Sequence, residues 1–311
     1  MKIVFLDVKT VGEDIDLSAF DTFGEVVKYP FTAYDEIDER AKDADVLIVN
    51  KIKVNSETIK SADHLKLVCV TATGTDNLDK DYLDKKGITW RNVAGYSTES
   101  VAQHTFALLF HLLENLNYYE RYVKEGNYIN DTLFTHFDRH FNELGSMTFG
   151  IIGLGNIGRR VAMIAKCFGA KVIYYSPSGA APQEGYDQVD FDTLLRESDV
   201  VSVHAPLNEY TKGLMNAEAF KKMKKTAIFL NLGRGPIVVE KDLTEAILNN
   251  DIKAAGLDVL EVEPMKEDSP FIKLKDNDNF VITPHIAWAS VEARTNLMKI
   301  IEEQVKEFFN L

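Results

Sequence analysis

Cysteine is scarce in this sequence: 311 residues contain only Cys69 and Cys167, each within an apolar stretch. Two isolated thiols make no disulfide framework, so a small secreted scaffold is excluded and a reducing, cytoplasmic setting is expected. Positive charge is also in deficit. Lys and Arg number 35 against 48 Asp and Glu, a net charge of −13. That balance argues against a general binder of nucleic acid or of an anionic membrane, while leaving room for a local basic site. No run approaches the roughly 20 apolar residues that cross a bilayer. The opening MKIVFLDVKTVGED turns acidic too early for a signal-peptide core. Internal repeats and low-complexity segments are missing as well.

What is present is an ordinary globular composition, 45% apolar, on a chain longer than one hydrophobic core usually supports, so two domains are expected. Short β-branched runs (KIVFLDV, EVVKYP, ADVLIVN, LKLVCVTA, ITWRNV) alternate with charged helical stretches through the first hundred residues. A second series begins at TFGIIGLG and continues through AKVIYYS, SDVVSVHA, TAIFLNLG, AAGLDVL and NFVITPH. Each series reads as a parallel sheet covered by helices on both faces, hence an α/β protein with two doubly wound domains. Between them, STESVAQHTFALLFHLLENLNYYERYVKEG reads as one long helix, apolar around most of its first turns, that packs between domains or forms a subunit interface. The last segment, SVEARTNLMKIIEEQVKEFF, reads as an amphipathic helix able to rejoin the first domain.

Gly153, Gly155 and Gly158 stand in G-x-G-x-x-G spacing, after an apolar strand and before a helical pattern. The first glycine permits a tight turn, the second lets the backbone approach a pyrophosphate, and the third lets helix pack on strand. The helix N-terminus then faces the phosphates. The acidic residue expected some 20 positions on, for the ribose hydroxyls, is replaced by Ser176, Pro177 and Ser178. Ser176 can hydrogen-bond a hydroxyl without repelling a 2′-phosphate, and no Arg or Lys follows before Tyr186 to attract one. NAD(H) is therefore the expected cofactor, with weakened discrimination against NADP(H).

Three polar residues follow strand ends of the second series: Arg234 in NLGRGPIV, Glu263 in GLDVLEVEP and His285 in VITPHIAWAS. In an open α/β sheet these ends face the ligand crevice, so the three can converge beside a bound dinucleotide. Together with GIIGLGNIGRRVA, HAPLNEYTKGLMN, VTATGTDNLD and NVAGYSTESVAQHTFALLF, these motifs resemble the D-isomer-specific 2-hydroxyacid dehydrogenase family over essentially the whole chain. The PHIAWAS ending most resembles the glycerate dehydrogenase, or hydroxypyruvate reductase, subfamily.

The resemblance implies a Rossmann cofactor domain over residues 98–289 and a flavodoxin-like substrate domain from residues 1–97 and 290–311. It implies that His285 is the acid-base, that Glu263 orients the imidazole and favours its charged form, and that Arg234 offers a planar fork to an α-carboxylate and keto oxygen. Cofactor contacts would come from Gly153, Gly155, Asn156, Ile157 and Gly158, from Ser176, and from the His204, Ala205, Pro206 and Thr211 loop. Leu232, Gly233 and Arg234 would add to them, as would Asp258 near the nicotinamide carboxamide, His285 and Ala287. Substrate contacts would be Arg234 and His285, the backbone of Thr73 and Gly74, Lys51 or a merely solvated Lys51, and Trp288 as a pocket wall or as packing. HFDRH places His136 and His140 four apart, on one face if helical, but no third ligand stands at metal-site spacing and no metal is expected.

The expected activity is reduction of a short 2-oxo acid, hydroxypyruvate or glyoxylate, to the D-2-hydroxy acid, with the reverse oxidation, in a cytoplasmic homodimer whose closure excludes water. Bulkier acids (the substrates of D-lactate, phenylpyruvate and 2-oxoisocaproate enzymes) and an NAD(H)-sensing regulator are the alternatives.

Overall fold

A computed structural model describes residues 1–311, which divide into two compact units, Met1–Ser97 with Ala289–Leu311, and Thr98–Trp288. In the first unit the β-branched runs form β1 (Lys2–Phe5), β2 (Glu25–Lys28), β3 (Val46–Val49), β4 (Leu67–Val70) and β5 (Thr89–Arg91), with helices α1 (Ile37–Ala41) and α2 (Lys80–Lys86) between them. All pairings are parallel and the order is β2-β1-β3-β4-β5, the flavodoxin-like arrangement. Strands β3 and β4 are buried along their whole length, which is why they read as continuous apolar runs without alternation.

The second unit opens with α3 (Thr98–Leu113) and α4 (Leu116–Lys124). The single long helix expected from the sequence is therefore two. The break falls at Asn115, whose backbone is left-handed (φ 52°), a conformation asparagine tolerates better than most residues. Leu108, Leu109, Leu112 and Leu113 of α3 are buried in this unit's own core.

Seven parallel strands follow with their helices: β6 (Thr148–Ile152), α5 (Asn156–Cys167), β7 (Lys171–Tyr175), β8 (Asp187–Gln188), α6 (Phe191–Glu197), β9 (Val200–Val203), α7 (Ala217–Lys222), β10 (Ile228–Asn231), α8 (Glu240–Leu248), β11 (Ala254–Leu257) and β12 (Phe280–Ile282). Their order, β12-β11-β10-β9-β6-β7-β8, is the Rossmann order extended by one strand, with its switch point between β6 and β9. A Cβ on Gly256 would lie 3.3 Å from Leu108 and Leu112 of α3, so this glycine lets α3 lie directly on β11 at the sheet's far end. Helix α9 (Val291–Phe309), capped by Ser290 Oγ on the Ala293 N–H at 3.1 Å, belongs with the first unit, where Arg294 pairs with Asp14. Cys167, read as apolar in context, is exposed at the end of α5, whereas Cys69 is buried in β4.

Candidate active site

The three glycines after β6 meet three different surroundings. Gly153 holds φ +90°, and a Cβ there would stand 2.9 Å from the Ala205 backbone. A Cβ on Gly158 would lie 2.1 Å from the Gly153 carbonyl oxygen, while the space beside Gly155 is open. The turn is thus bare backbone leading into the N-terminus of α5 at Asn156, with Ile157 next on the helix, which is the form of a phosphate cradle. Arg159, which motif reasoning passed over, spans its rim from Asn156 Oδ1 (2.6 Å) to Gln183 Oε1 (3.3 Å).

Past β7, Ser176 Oγ lies 3.3 Å from Ser178 Oγ, at the edge of an open depression of about 480 Å³ lined by Tyr175, Ser176, Pro177, Gly179, Pro182 and Gln188 to Asp190. No cationic side chain lines it. Asp190 caps α6 by accepting from the Thr193 N–H and hydroxyl (2.8 and 2.6 Å).

On the other side of the glycine turn, His204 directs Nε2 to Ser202 Oγ (2.8 Å), and its Nδ1 is buried without a partner. Desolvation lowers its pKa from 6.5 to about 3, so this imidazole is neutral wherever an enzyme would work. Thr211, fully buried, ties the loop after it by donating to the Pro206 carbonyl (2.7 Å) and accepting from the Asn208 N–H (2.8 Å). A cradle of glycine backbone and a helix N-terminus, with the neutral Ala205 beside Gly153, fits a dinucleotide.

The Arg234 loop is shaped by a residue the motifs did not single out. Asn231, buried at the end of β10, accepts from the Gly233 N–H (3.1 Å) and donates to the Arg234 carbonyl (3.0 Å). Gly233 passes so close to Ala205 that a Cβ would meet its carbonyl at 3.0 Å. Gly235 abuts Leu260, where a Cβ would come within 1.9 Å. The loop carrying Arg234 is therefore wedged between the His204 loop and the chain leading to Glu263. The guanidinium itself donates to the Gly233 carbonyl at 2.9 Å.

His285 Nδ1 and Glu263 Oε2 are 2.7 Å apart, with the two side chains 23% and 30% exposed. The other carboxylate oxygen accepts from the Leu260 N–H at 2.9 Å. The pair thus commits Nδ1 and leaves Nε2 as the ring nitrogen outside it. His285 pays for its placement with a left-handed backbone (φ 55°), a strain of about 1–3 kcal/mol for a non-glycine residue. Asp258, expected beside the nicotinamide, is 2% exposed and has both oxygens on this loop: Oδ1 accepts from Thr283 Oγ1 (2.6 Å) and the Ile286 N–H (2.8 Å), Oδ2 from the Ala287 N–H (2.9 Å). Trp288 donates its indole N–H to the His285 carbonyl at 3.0 Å.

The remaining substrate candidates lie in the first unit. Lys51, just after β3, donates its backbone N–H to the carboxylate of Asp7 (2.8 Å), which also accepts from the Asn50 N–H (2.9 Å). Burial raises the Asp7 carboxyl above its ordinary range against the pull of these N–H groups. No sequence pattern marked Asp7. Thr73 donates its hydroxyl to the Val93 carbonyl (2.9 Å), and its own carbonyl accepts from Asn92 (2.6 Å), which sets the turn entering Gly74.

The HFDRH segment is not helical, so His136 and His140 do not share a helix face. His136 instead stacks on Tyr122 (ring centroids 3.9 Å apart) and meets the Tyr118 hydroxyl at 2.8 Å.

The sequence model of the D-isomer specific 2-hydroxyacid dehydrogenase NAD binding domain matches residues 106–287. The chain is 36% identical to a hydroxypyruvate reductase of Blautia hydrogenotrophica, over 99% of this chain and 97% of that one. It is also 36% identical to a glycerate dehydrogenase of Methylorubrum extorquens, over 99% and 96%. Among solved structures, a D-lactate dehydrogenase of Aquifex aeolicus complexed with NAD and lactic acid superposes with a TM-score of 0.87 at 30% identity, over 99% of this chain and 95% of that one.

Proposed function

Since the chain belongs to the D-isomer specific 2-hydroxyacid dehydrogenase family, and so is a nicotinamide-dependent oxidoreductase, we propose that its reaction is the reduction of hydroxypyruvate or glyoxylate to the D-2-hydroxy acid, and the reverse oxidation. The observation that carries this reading is the 2.7 Å His285–Glu263 pair, on a loop of the same unit as the glycine cradle. A nicotinamide dinucleotide bound in that cradle supplies the hydride. His285, protonated, gives its Nε2 proton to the keto oxygen as the carbonyl carbon is reduced, and neutral it removes the hydroxyl proton in the reverse direction. Glu263 holds the ring by accepting from Nδ1–H, so the imidazole neither flips nor turns away.

Arg234 receives the α-carboxylate and keto oxygen in its two-pronged guanidinium, which lysine cannot match. Its rigid turn, held by Asn231, supports that role. Lys51, Thr73 and Gly74 of the first unit are proposed as further carboxylate contacts, which makes that unit the substrate domain. Trp288 is proposed as the pocket wall, with its indole N–H already committed to the backbone. NAD(H) is the proposed preference, supported by the absence of a cationic side chain in the depression beside Ser176. NADP(H) is proposed as a weaker alternative because no carboxylate repels it at position 176. Two free thiols, Cys69 and Cys167, fit a cytoplasmic enzyme. No helix is long and apolar enough to cross a membrane.

The test is a panel of 2-oxo acids with NADH and NADPH. Hydroxypyruvate or glyoxylate should give the highest kcat/KM. Pyruvate, phenylpyruvate or 2-oxoisocaproate in first place would transfer the assignment to a D-lactate-type enzyme, the activity named for the Aquifex aeolicus structure. Tight NADH binding with no turnover of any acid would leave an NAD(H)-sensing protein instead.

A further inference from the structure

A left-handed histidine keeps its place only if its surroundings over-determine it, and residues 283–287 are gripped from two directions. Asp258, just past β11, holds the loop from the sheet side through Thr283, Ile286 and Ala287. The second grip comes from α3. Ser100 Oγ donates to the Ala287 carbonyl at 2.6 Å, and one turn further on His104 Nε2 meets Thr283 Oγ1 at 2.9 Å. Thr283 has one hydroxyl proton, committed to Asp258 at 2.6 Å, so its lone pair accepts from His104 and the imidazole proton must sit on Nε2. His285 lies between these two anchors.

We propose that His104 and Ser100 are positioning residues for the acid-base histidine: from one face of α3 they clamp both ends of its loop and hold the ring at the reacting carbonyl. The proposal rests on the reading of His285 as proton donor and acceptor. Neither residue is needed to fold α3, which Leu108, Leu109, Leu112 and Leu113 already bury in the core. Loss of the clamp therefore acts on geometry, and a misplacement of about 1 Å costs on the order of 10² in rate.

The experiment uses the full chain with hydroxypyruvate and NADH, comparing the parent with His104→Phe, His104→Gln and Ser100→Ala. Phe fills the space without a donor, whereas the Gln amide can still donate to Thr283. His104→Phe should lower kcat by roughly 10- to 100-fold, with NADH affinity within about threefold and melting temperature nearly unchanged. His104→Gln should recover most of the loss, and Ser100→Ala should fall between. Independently of turnover, the His285 ring resonances of the cofactor-free protein, identified by their disappearance in His285→Gln, should move or broaden in His104→Phe and return in His104→Gln. Unchanged resonances, a kcat within threefold of the parent in His104→Phe, or a loss that Gln does not rescue and that tracks melting temperature would each overturn the clamp. If the parent turns over no 2-oxo acid while the resonances respond as described, the acid-base reading has failed and the clamp on the loop stands.

Discussion

His285 is the residue proposed to carry the proton, and its substitution separates proton transfer from binding. His285→Asn should lower kcat by about 10² to 10⁴, the usual contribution of a positioned acid-base group, while NADH affinity stays within about threefold. Steady-state kinetics with fluorescence titration of NADH measures both, and a kcat within threefold of the parent would remove His285 from the mechanism. At this scale the sequence was most legible in placement: Arg234, Glu263 and His285 follow strand ends as expected, and two of them, Glu263 and His285, meet at 2.7 Å. It was silent about their supports. Asp7, Asn231 and Gly235 are ordinary residues until the fold brings a neighbour to them, and the contacts of Ser100 and His104 with the His285 loop span 187 and 179 positions of chain. Asp258, expected as a cofactor contact, also ties the loop through the Thr283 hydroxyl and the Ile286 and Ala287 N–H groups.

Among the elements, the glycine turn and α5 follow directly from the spacing of Gly153, Gly155 and Gly158, because each glycine answers a local steric demand. Cofactor choice is proposed to belong to the next element, the turn after β7. Restoring a carboxylate with Ser176→Asp should raise the NADH-to-NADPH ratio of kcat/KM by at least about tenfold, since a charge that hydrogen-bonds ribose hydroxyls repels a 2′-phosphate. Kinetics with both cofactors measures the ratio, and an unchanged value would mean that Ser176 does not face the ribose. Helix α3 shows where local pattern misleads. Its helical periodicity continues past Asn115, but one left-handed residue separates α3 from α4, and a single change of backbone conformation leaves the apolar pattern intact on either side.

Stability and assembly belong to the molecule as a whole. His204 is held neutral in the fold, at a pKa of about 3 against 6.5, so below about pH 6.5 the unfolded chain takes up a proton that the native state refuses. The sign follows: this group's stabilisation is complete above the unfolded value and is lost as pH falls from 6.5 toward 3. Urea unfolding should give a stability lower by roughly 1 kcal/mol at about pH 5.5 than at about pH 7.5 from this residue alone. His204→Gln should lack that component, and an equal pH dependence in parent and variant would refute it.

For the homodimer expected from the sequence, an exposed apolar face is a better candidate than α3. The apolar side of α3 is used inside its own unit, whereas Ile129, Leu133, Phe134 and Phe137 stand 85%, 66%, 89% and 71% exposed, and we propose this apolar segment as the dimer contact. Light scattering at micromolar concentration should return a dimer, and Phe134→Ser with Phe137→Ser should shift it toward monomer. A monomeric parent would sink the assignment.

The sequence by itself determined the class of the molecule: two parallel α/β series, a dinucleotide turn, and an arginine, a carboxylate and an imidazole placed at strand ends. These are readable because periodicity and glycine sterics are local, and because strand ends have a fixed direction in a doubly wound sheet. Only the tertiary structure decided how the site is held, from the left-handed His285 and its clamps to the wedged Arg234 turn and the solvent-facing aromatic segment. Each of these depends on packing between residues far apart in the chain, and no short-range pattern encodes it.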